Sequence, residues 1–127
     1  MTALQHIELF SRIKGFPYHE DVIKRILNSV KLYEFRNGKV STFSGGMRRR
    51  LSLAISLIGD PKLIILDEPT TGMDAKIRLQ TWKIILQLRD SYRSILITTH
   101  NMEEAECLSD RILIMNKGRV AAKGTTV

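Results

Sequence analysis

The chain has 127 residues, of which 20 are Lys or Arg and 13 are Asp or Glu, so its formal net charge is +7. This length, with 43% hydrophobic residues, suits one compact domain with a buried core and excludes wholesale disorder. The single cysteine, Cys107, excludes an intramolecular disulfide. The longest uncharged runs, such as 51–59, fall far short of the about 20 apolar residues that span a membrane.

The first forty residues read as two short helices without a strand. Apolar residues recur at helical spacing between Leu4 and Ile13, and again between Val22 and Val30 after an acidic start. Turn residues occupy 36–39. Residues 1–59 carry ten basic and four acidic side chains, against ten and nine over 60–127. Such a basic half suits an anionic partner or a solvated surface.

The rest of the chain alternates helices and strands, which is the pattern of an α/β layer fold. Ser44 is a suitable N-cap for a third helix with apolar residues from Met47 to Ile58. Apolar runs predict buried parallel strands over 62–66 and 94–98 and a further strand over 112–115, which forms a hairpin with 120–122. Helices are predicted over 75–88, with Leu79, Trp82, Ile85 and Leu86 on one side, and over 102–108, an acidic segment.

Polar side chains directly follow both of the apolar strands. Asp67 and Glu68 follow the first strand, and His100 comes just after the second. Ligands of open α/β sheets bind outside the carboxyl ends of the strands. Asp67 is placed to serve Mg²⁺ and Glu68 to orient a water, although acidic residues also occupy ordinary solvated turns. A lone His is more often structural, but neighbouring strands would bring His100 to the same edge.

A second candidate site lies at the start of the third helix. Ser44, Gly45 and Gly46 precede or open this helix, and an arginine run follows at 48–50. Glycines allow a ligand to approach the backbone, and the first amides of a helix favour an anion such as phosphate. A flexible loop with an ordinary cap explains the same three residues. Because no aromatic interleaves the arginine run, we expect no direct nucleic-acid binding.

Taken together, these segments resemble the nucleotide-binding domain of ABC transporters. Their sequences are most similar to those of the A subfamily and related bacterial exporters. The matching segments are Thr-Phe-Ser-Gly-Gly-Met-Arg at 42–48, Leu-Asp-Glu-Pro-Thr at 66–70, Thr-Gly-Met-Asp at 71–74 and Thr-Thr-His at 98–100. The resemblance implies a P-loop NTPase-like ABC ATPase domain, present in part. Residues 1–60 match the helical subdomain, and 61–127 match the C-terminal part of the parallel-sheet core.

The resemblance also implies a role for each matching residue. Ser44, Gly45 and Gly46 match the signature loop, which binds the γ-phosphate of a nucleotide held by the partner domain. Asp67 matches the Walker B aspartate that serves Mg²⁺, and Glu68 the catalytic base. Asp74 matches the D-loop aspartate at the dimer interface, and His100 the switch histidine. The implied cofactors are ATP and Mg²⁺.

The same resemblance implies two partners, a second nucleotide-binding domain and a transmembrane domain, at the cytoplasmic face of a membrane. The transported substrate of such an exporter is expected to be a lipid or another hydrophobic compound. A P-loop reads Gly-x-x-x-x-Gly-Lys-Ser/Thr, whereas the only Gly-Lys here, Gly38-Lys39, is followed by Val40. We therefore expect a fragment lacking the Walker A motif, with negligible ATP hydrolysis on its own.

Two other functions fit part of the pattern. The chain could be a non-catalytic interaction module that lends its signature loop to another ATPase. It could also be a soluble ABC ATPase that acts on nucleic acid, although such proteins usually carry long insertions that this sequence does not contain.

Overall fold

The structure is a computed structural model that describes residues 1–89 and 92–126. Helices and strands alternate after a helical first third, as predicted. Their bounds are α1 (Ala3–Ile13), α2 (Glu20–Ser29), α3 (Gly45–Ser56), β1 (Leu63–Asp67), α4 (Ala75–Leu88), β2 (Ser94–Thr98), α5 (Met102–Leu108), β3 (Arg111–Asn116) and β4 (Arg119–Thr125). Short 3₁₀ turns at Tyr33–Phe35 and Val40–Thr42 connect α2 to α3.

The helical first third owes its order to capping and to apolar stripes. Thr2 and Gln5 form a reciprocal capping box at the start of α1. Each predicted stripe faces inward except at one end: Ile7, Leu27 and Val30 have no exposed surface, whereas Ile13 and Val22 are 67% and 36% exposed. Both helices pack against α3. The core of this part is therefore mainly aliphatic and lies between three helices.

The strands form two separate sheets among the described residues. β1 and β2 pair in parallel, and their register sets Asp67 opposite Thr98. The strand predicted over 112–115 pairs with β4 in an antiparallel hairpin, as predicted. The adjacency of β1 and β2 is the feature that positions the site, because it brings the residues after both strands to one edge.

Three burial predictions were wrong. No residue of β2 is buried, and Leu96 is 54% exposed. Only one face of β1 is covered: Ile64 is 2% exposed, but its neighbour Ile65 is 62% exposed. Successive side chains of a strand point to opposite faces, and no described element packs against the face that carries Ile65. In α4, Leu79 is 52% exposed because the buried face of this helix runs through Trp82, Ile85 and Leu88 instead.

The start of α3 lies directly against α4. A Cβ atom built on Gly46 would be 2.6 Å from Cγ2 of Ile77, so only glycine allows this approach. α4 also contacts α2 and α5, which connects it to the helices on both sides of it in the sequence. Within the described ranges, no helix has the length and apolar character needed to cross a membrane.

Candidate functional site

The ends of β1 and β2 place four polar side chains together. Thr98 donates a short hydrogen bond to the carboxylate of Asp67. Glu68 and His100 lie just beyond the two strand ends, with Nδ1 of His100 2.9 Å from Oε2 of Glu68. The side chain of His100 is 77% exposed and that of Glu68 is 34% exposed, so the pair faces open solvent. The expectation that neighbouring strands bring Asp67, Glu68 and His100 to one edge is confirmed.

Glu68 is held firmly despite its exposure. Its backbone amide donates to the carbonyl oxygen of Thr98 at 3.0 Å, and its φ of +47° is in the left-handed region, which is uncommon for a residue other than glycine. Thr71 donates to Oε2 at 2.8 Å. The hydrogen bonds from His100 and then Thr71 lower the pKa of Glu68 below its ordinary value. Glu68 is thus an ionised acceptor at neutral pH.

A second cluster surrounds an open cavity of about 470 Å³ between the start of α3 and the start of α4. Ser44, Gly45, Gly46 and Asp74 all line it, as do Arg48 and Arg49. The hydroxyl of Ser44 accepts from the amide of Met47 and caps α3. The structure therefore groups the predicted site residues into two sets, one at the sheet edge and one at this cavity.

Two side chains join these sets. Arg49 belongs to α3 and lines the cavity, and its Nη2 donates to the backbone carbonyl of Glu68 at 3.0 Å. Thr71 lines the cavity and donates to the Glu68 carboxylate. Arg49 and Thr71 therefore each connect the cavity wall to Glu68 by one hydrogen bond.

Asp67 is the described residue best suited to help hold a divalent cation. Mg²⁺ usually takes one or two carboxylates and completes its shell with water and substrate phosphates. Among the described residues, no group of three or more His, Cys, Asp or Glu side chains could hold a metal on its own. Asp67, with Glu68 beside it, fits a cation whose other ligands come from a phosphate and water.

Sequence reasoning missed a buried carboxylate behind this edge. Glu104 is 1% exposed, and its Oε1 accepts from Thr70 at 2.6 Å and from Nε1 of Trp82 at 2.9 Å. The spacing of four residues between Glu104 and the buried Leu108 places both on one face of α5, and this signal was available in the sequence.

Comparison with known proteins defines the class to which this fold and site belong. An ATP-binding cassette of an ABC transporter, solved in its ADP conformation, matches with a TM-score of 0.86 over 98% of this chain and 55% of that chain. At 23% identity this match shows the fold, a P-loop NTPase-type ATP-binding cassette, which confirms the predicted fold class. Residues 2–71 match the ABC transporter family. The chain therefore belongs to the ABC transporter family.

Three curated relatives are A-type ABC transporters, as the motif sequences predict. ABC transporter A family member 2 of Arabidopsis thaliana is 50% identical over 100% of this chain and 13% of its own length. ABC transporter A family member 1 of Dictyostelium discoideum is 43% identical over 100% of this chain and 15% of its own length. ATP-binding cassette sub-family A member 2 of Homo sapiens is 42% identical over 98% of this chain. The chain spans at most 15% of the length of these relatives.

Proposed function

We propose that this chain is the part of an A-type ABC transporter ATPase domain that carries the signature loop, the Walker B strand and the switch histidine. The observation that supports this most is the 2.9 Å contact between Glu68 and His100 beside Asp67, at the carboxyl end of a parallel strand pair. Under this proposal residues 1–60 are the helical subdomain and 61–127 belong to the sheet core.

Each sheet-edge residue has a different role in ATP hydrolysis. Bound Mg-ATP supplies the γ-phosphoryl group and the cation that offsets its charge. Asp67 holds the cation directly or through water. Glu68, ionised at neutral pH, accepts a hydrogen bond from the attacking water and orients it. His100 holds the Glu68 carboxylate in place and contacts the γ-phosphate.

The cavity residues serve a nucleotide held by a second domain. Gly45 has no neighbouring atom within 4 Å of an added Cβ, so a ligand can approach this part of the backbone. The first amides of α3 have no partner within the helix and favour an anion, and Ser44, Gly46 and the arginines surround them. Asp74 lines the same cavity. In this role it contacts the partner domain across the dimer interface.

The P-loop of the composite site must come from outside these 127 residues, since the sequence contains no Gly-x-x-x-x-Gly-Lys. The phosphates have no lysine and glycine amides to cradle them without it. We therefore expect the purified chain to hydrolyse ATP negligibly. Turnover in the purified chain that disappears in Glu68→Gln would contradict this expectation.

The A-type likeness supports a finer proposal for the whole protein. The domain works at the cytoplasmic face of a membrane, paired with a second nucleotide-binding domain and docked on a transmembrane domain. It powers export of a lipid or another hydrophobic compound. Direct contact with nucleic acid is not part of this function.

A chimeric transporter tests the proposal. This chain replaces the aligned segment of ABC transporter A family member 2 of Arabidopsis thaliana, to which it is 50% identical. We expect the chimera to hydrolyse ATP, with Glu68→Gln reducing kcat by on the order of 10² to 10⁴. Glu106→Gln, an exposed carboxylate of α5, is the matched control and should leave turnover unchanged.

The outcomes separate the rival functions. A membrane-inserted chimera without turnover, which still restores activity to a partner domain lacking its own signature loop, would favour the non-catalytic interaction module. Nucleic-acid binding that falls steeply with salt and exceeds binding to anionic liposomes would favour a soluble ATPase that acts on nucleic acid.

A further inference from the structure

Glu104 is a buried acidic side chain that the proposed mechanism does not use. It is 1% exposed, and the same oxygen, Oε1, accepts hydrogen bonds from Thr70 and Trp82. Both donors are neutral, and burying a carboxylate without a closely paired cation is costly. Because burial of this carboxylate costs free energy, its hydrogen bonds to Thr70 and Trp82 point to a role other than packing.

The two donors come from the segments that carry the site. Thr70 lies two residues after Glu68 in the loop that follows β1, and Trp82 lies in α4, the helix that Asp74 caps. Glu104 itself lies four residues after His100, and Asn101 caps the intervening start of α5 through the amides of Glu103 and Glu104. Glu104 therefore joins three segments at one buried atom.

These contacts form a continuous series that begins and ends at Glu68. Glu68 contacts His100 at 2.9 Å, and α5 leads from His100 to Glu104. Glu104 holds Thr70, and the next residue, Thr71, donates back to the Glu68 carboxylate. Both ends of this series of contacts lie at Glu68. Removing the hydrogen bonds at Glu104 would therefore free the loop that positions the Glu68 carboxylate relative to the imidazole of His100.

We propose that Glu104 is a positioning residue, which fixes the loop after β1 and thereby the placement of Glu68 against His100. Its effect on ATP turnover rests on the proposed function, whereas its effect on the loop does not. An acceptor is required at this position, because an apolar side chain would leave the Trp82 indole N–H and the Thr70 hydroxyl buried without a partner.

Amide hydrogen exchange in the 127-residue chain tests the loop directly. The amides of Thr71 and Met73 are bonded to the carbonyls of Glu68 and Thr70 within this loop. We expect Glu104→Ala to speed their exchange by on the order of tenfold or more, while the β1 amides paired with β2 keep their rates. Glu104→Gln should retain slow loop exchange, because its amide oxygen can accept from both donors.

The fluorescence of Trp82, the single tryptophan, gives a second readout, because its indole donates to Glu104. Its emission should shift in Glu104→Ala and stay near the parent in Glu104→Gln. If Glu104→Ala does not fold, Thr70→Val removes one donor at nearly constant volume and should still speed exchange at Thr71. Unchanged loop exchange in the folded variants, or equal acceleration in the loop and in β1, would overturn the proposal.

The catalytic consequence is measured separately in the chimera. We expect Glu104→Ala to lower kcat by on the order of 10² with little change in the KM for ATP, and Glu104→Gln to restore kcat. A parent chimera without turnover would count against the proposed function. The exchange result would still test whether Glu104 fixes the loop. Perturbed exchange together with an unchanged kcat would overturn the positioning role alone.

Discussion

Gly46 and Ile77 are in direct contact across the boundary between α3 and α4, because a Cβ atom added to Gly46 would lie 2.6 Å from Cγ2 of Ile77. Ile77 is β-branched and therefore stiff at this atom, so it cannot move aside cheaply. We expect Gly46→Ala to lower the free energy of unfolding by about 1–3 kcal/mol. Urea unfolding of the purified chain measures the effect.

Gly45 provides the matched control for this prediction, since nothing lies within 4 Å of a Cβ added there. Gly45→Ala should leave the unfolding free energy unchanged or raise it slightly, because alanine restricts the unfolded chain. Equal destabilisation by both substitutions would mean that the loop, and not the contact with Ile77, is the sensitive feature.

Asp74 has a structural role that can be separated from its proposed role at a domain interface. Its carboxylate accepts from the amide of Ile77 at 3.0 Å and caps α4. Asp74→Ala should cost about 0.5–2 kcal/mol of stability, whereas Asp74→Asn should keep the cap. Thermal unfolding distinguishes the two variants. If Asp74→Asn is stable but impairs turnover in the chimera, the carboxylate charge acts beyond the cap.

The contact between Glu68 and His100 predicts a pH dependence of stability. Because the folded-state pKa of Glu68 is lowered from 4.5, the unfolded chain binds this proton first as the pH falls. The stabilisation is therefore complete above about pH 4.5 and is lost as the pH falls through the lowered pKa. His100→Ala should flatten the fall of Tm in this acid range. Parallel Tm curves for the parent and the variant would contradict the coupling.

Adjacent residues of β1 should differ sharply in their contribution to stability. Ile64 is 2% exposed and Ile65 is 62% exposed. Ile64→Ala should lower the unfolding free energy of the chain by about 2–5 kcal/mol, and Ile65→Ala by far less. Denaturant midpoints measured on both variants test this. A comparable loss at Ile65 would mean that its side of the sheet is covered in solution.

The sequence predicted the element order and the sheet edge because local signals and topology agree there. Helical spacing and caps place α1 to α3, and the apolar runs place β1 and β2. Once the two strands are parallel neighbours, the residues after them, including Glu68 and His100, must share an edge. The 2.9 Å contact between their side chains, in contrast, is a finding of the structure.

Burial was harder to predict because it depends on what packs against each face. An apolar strand such as β1 reads as buried on both sides, yet only the face with Ile64 is covered by described residues. Glu104 shows the opposite case, because it lies in an acidic helical segment and is nevertheless buried. Its partners, Thr70 and Trp82, are 34 and 22 residues away in sequence, so no local pattern reveals them.

A double-mutant cycle on ATP turnover tests most directly whether Glu68 and His100 act as one unit. The cycle compares Glu68→Gln, His100→Gln and the double variant in the chimeric transporter, with protein level and membrane insertion matched. Since residues that act together are strongly non-additive, we predict that the double variant turns over no more slowly than the slower single variant. Parent-like turnover in Glu68→Gln, or losses that simply multiply, would contradict a shared role at the sheet edge.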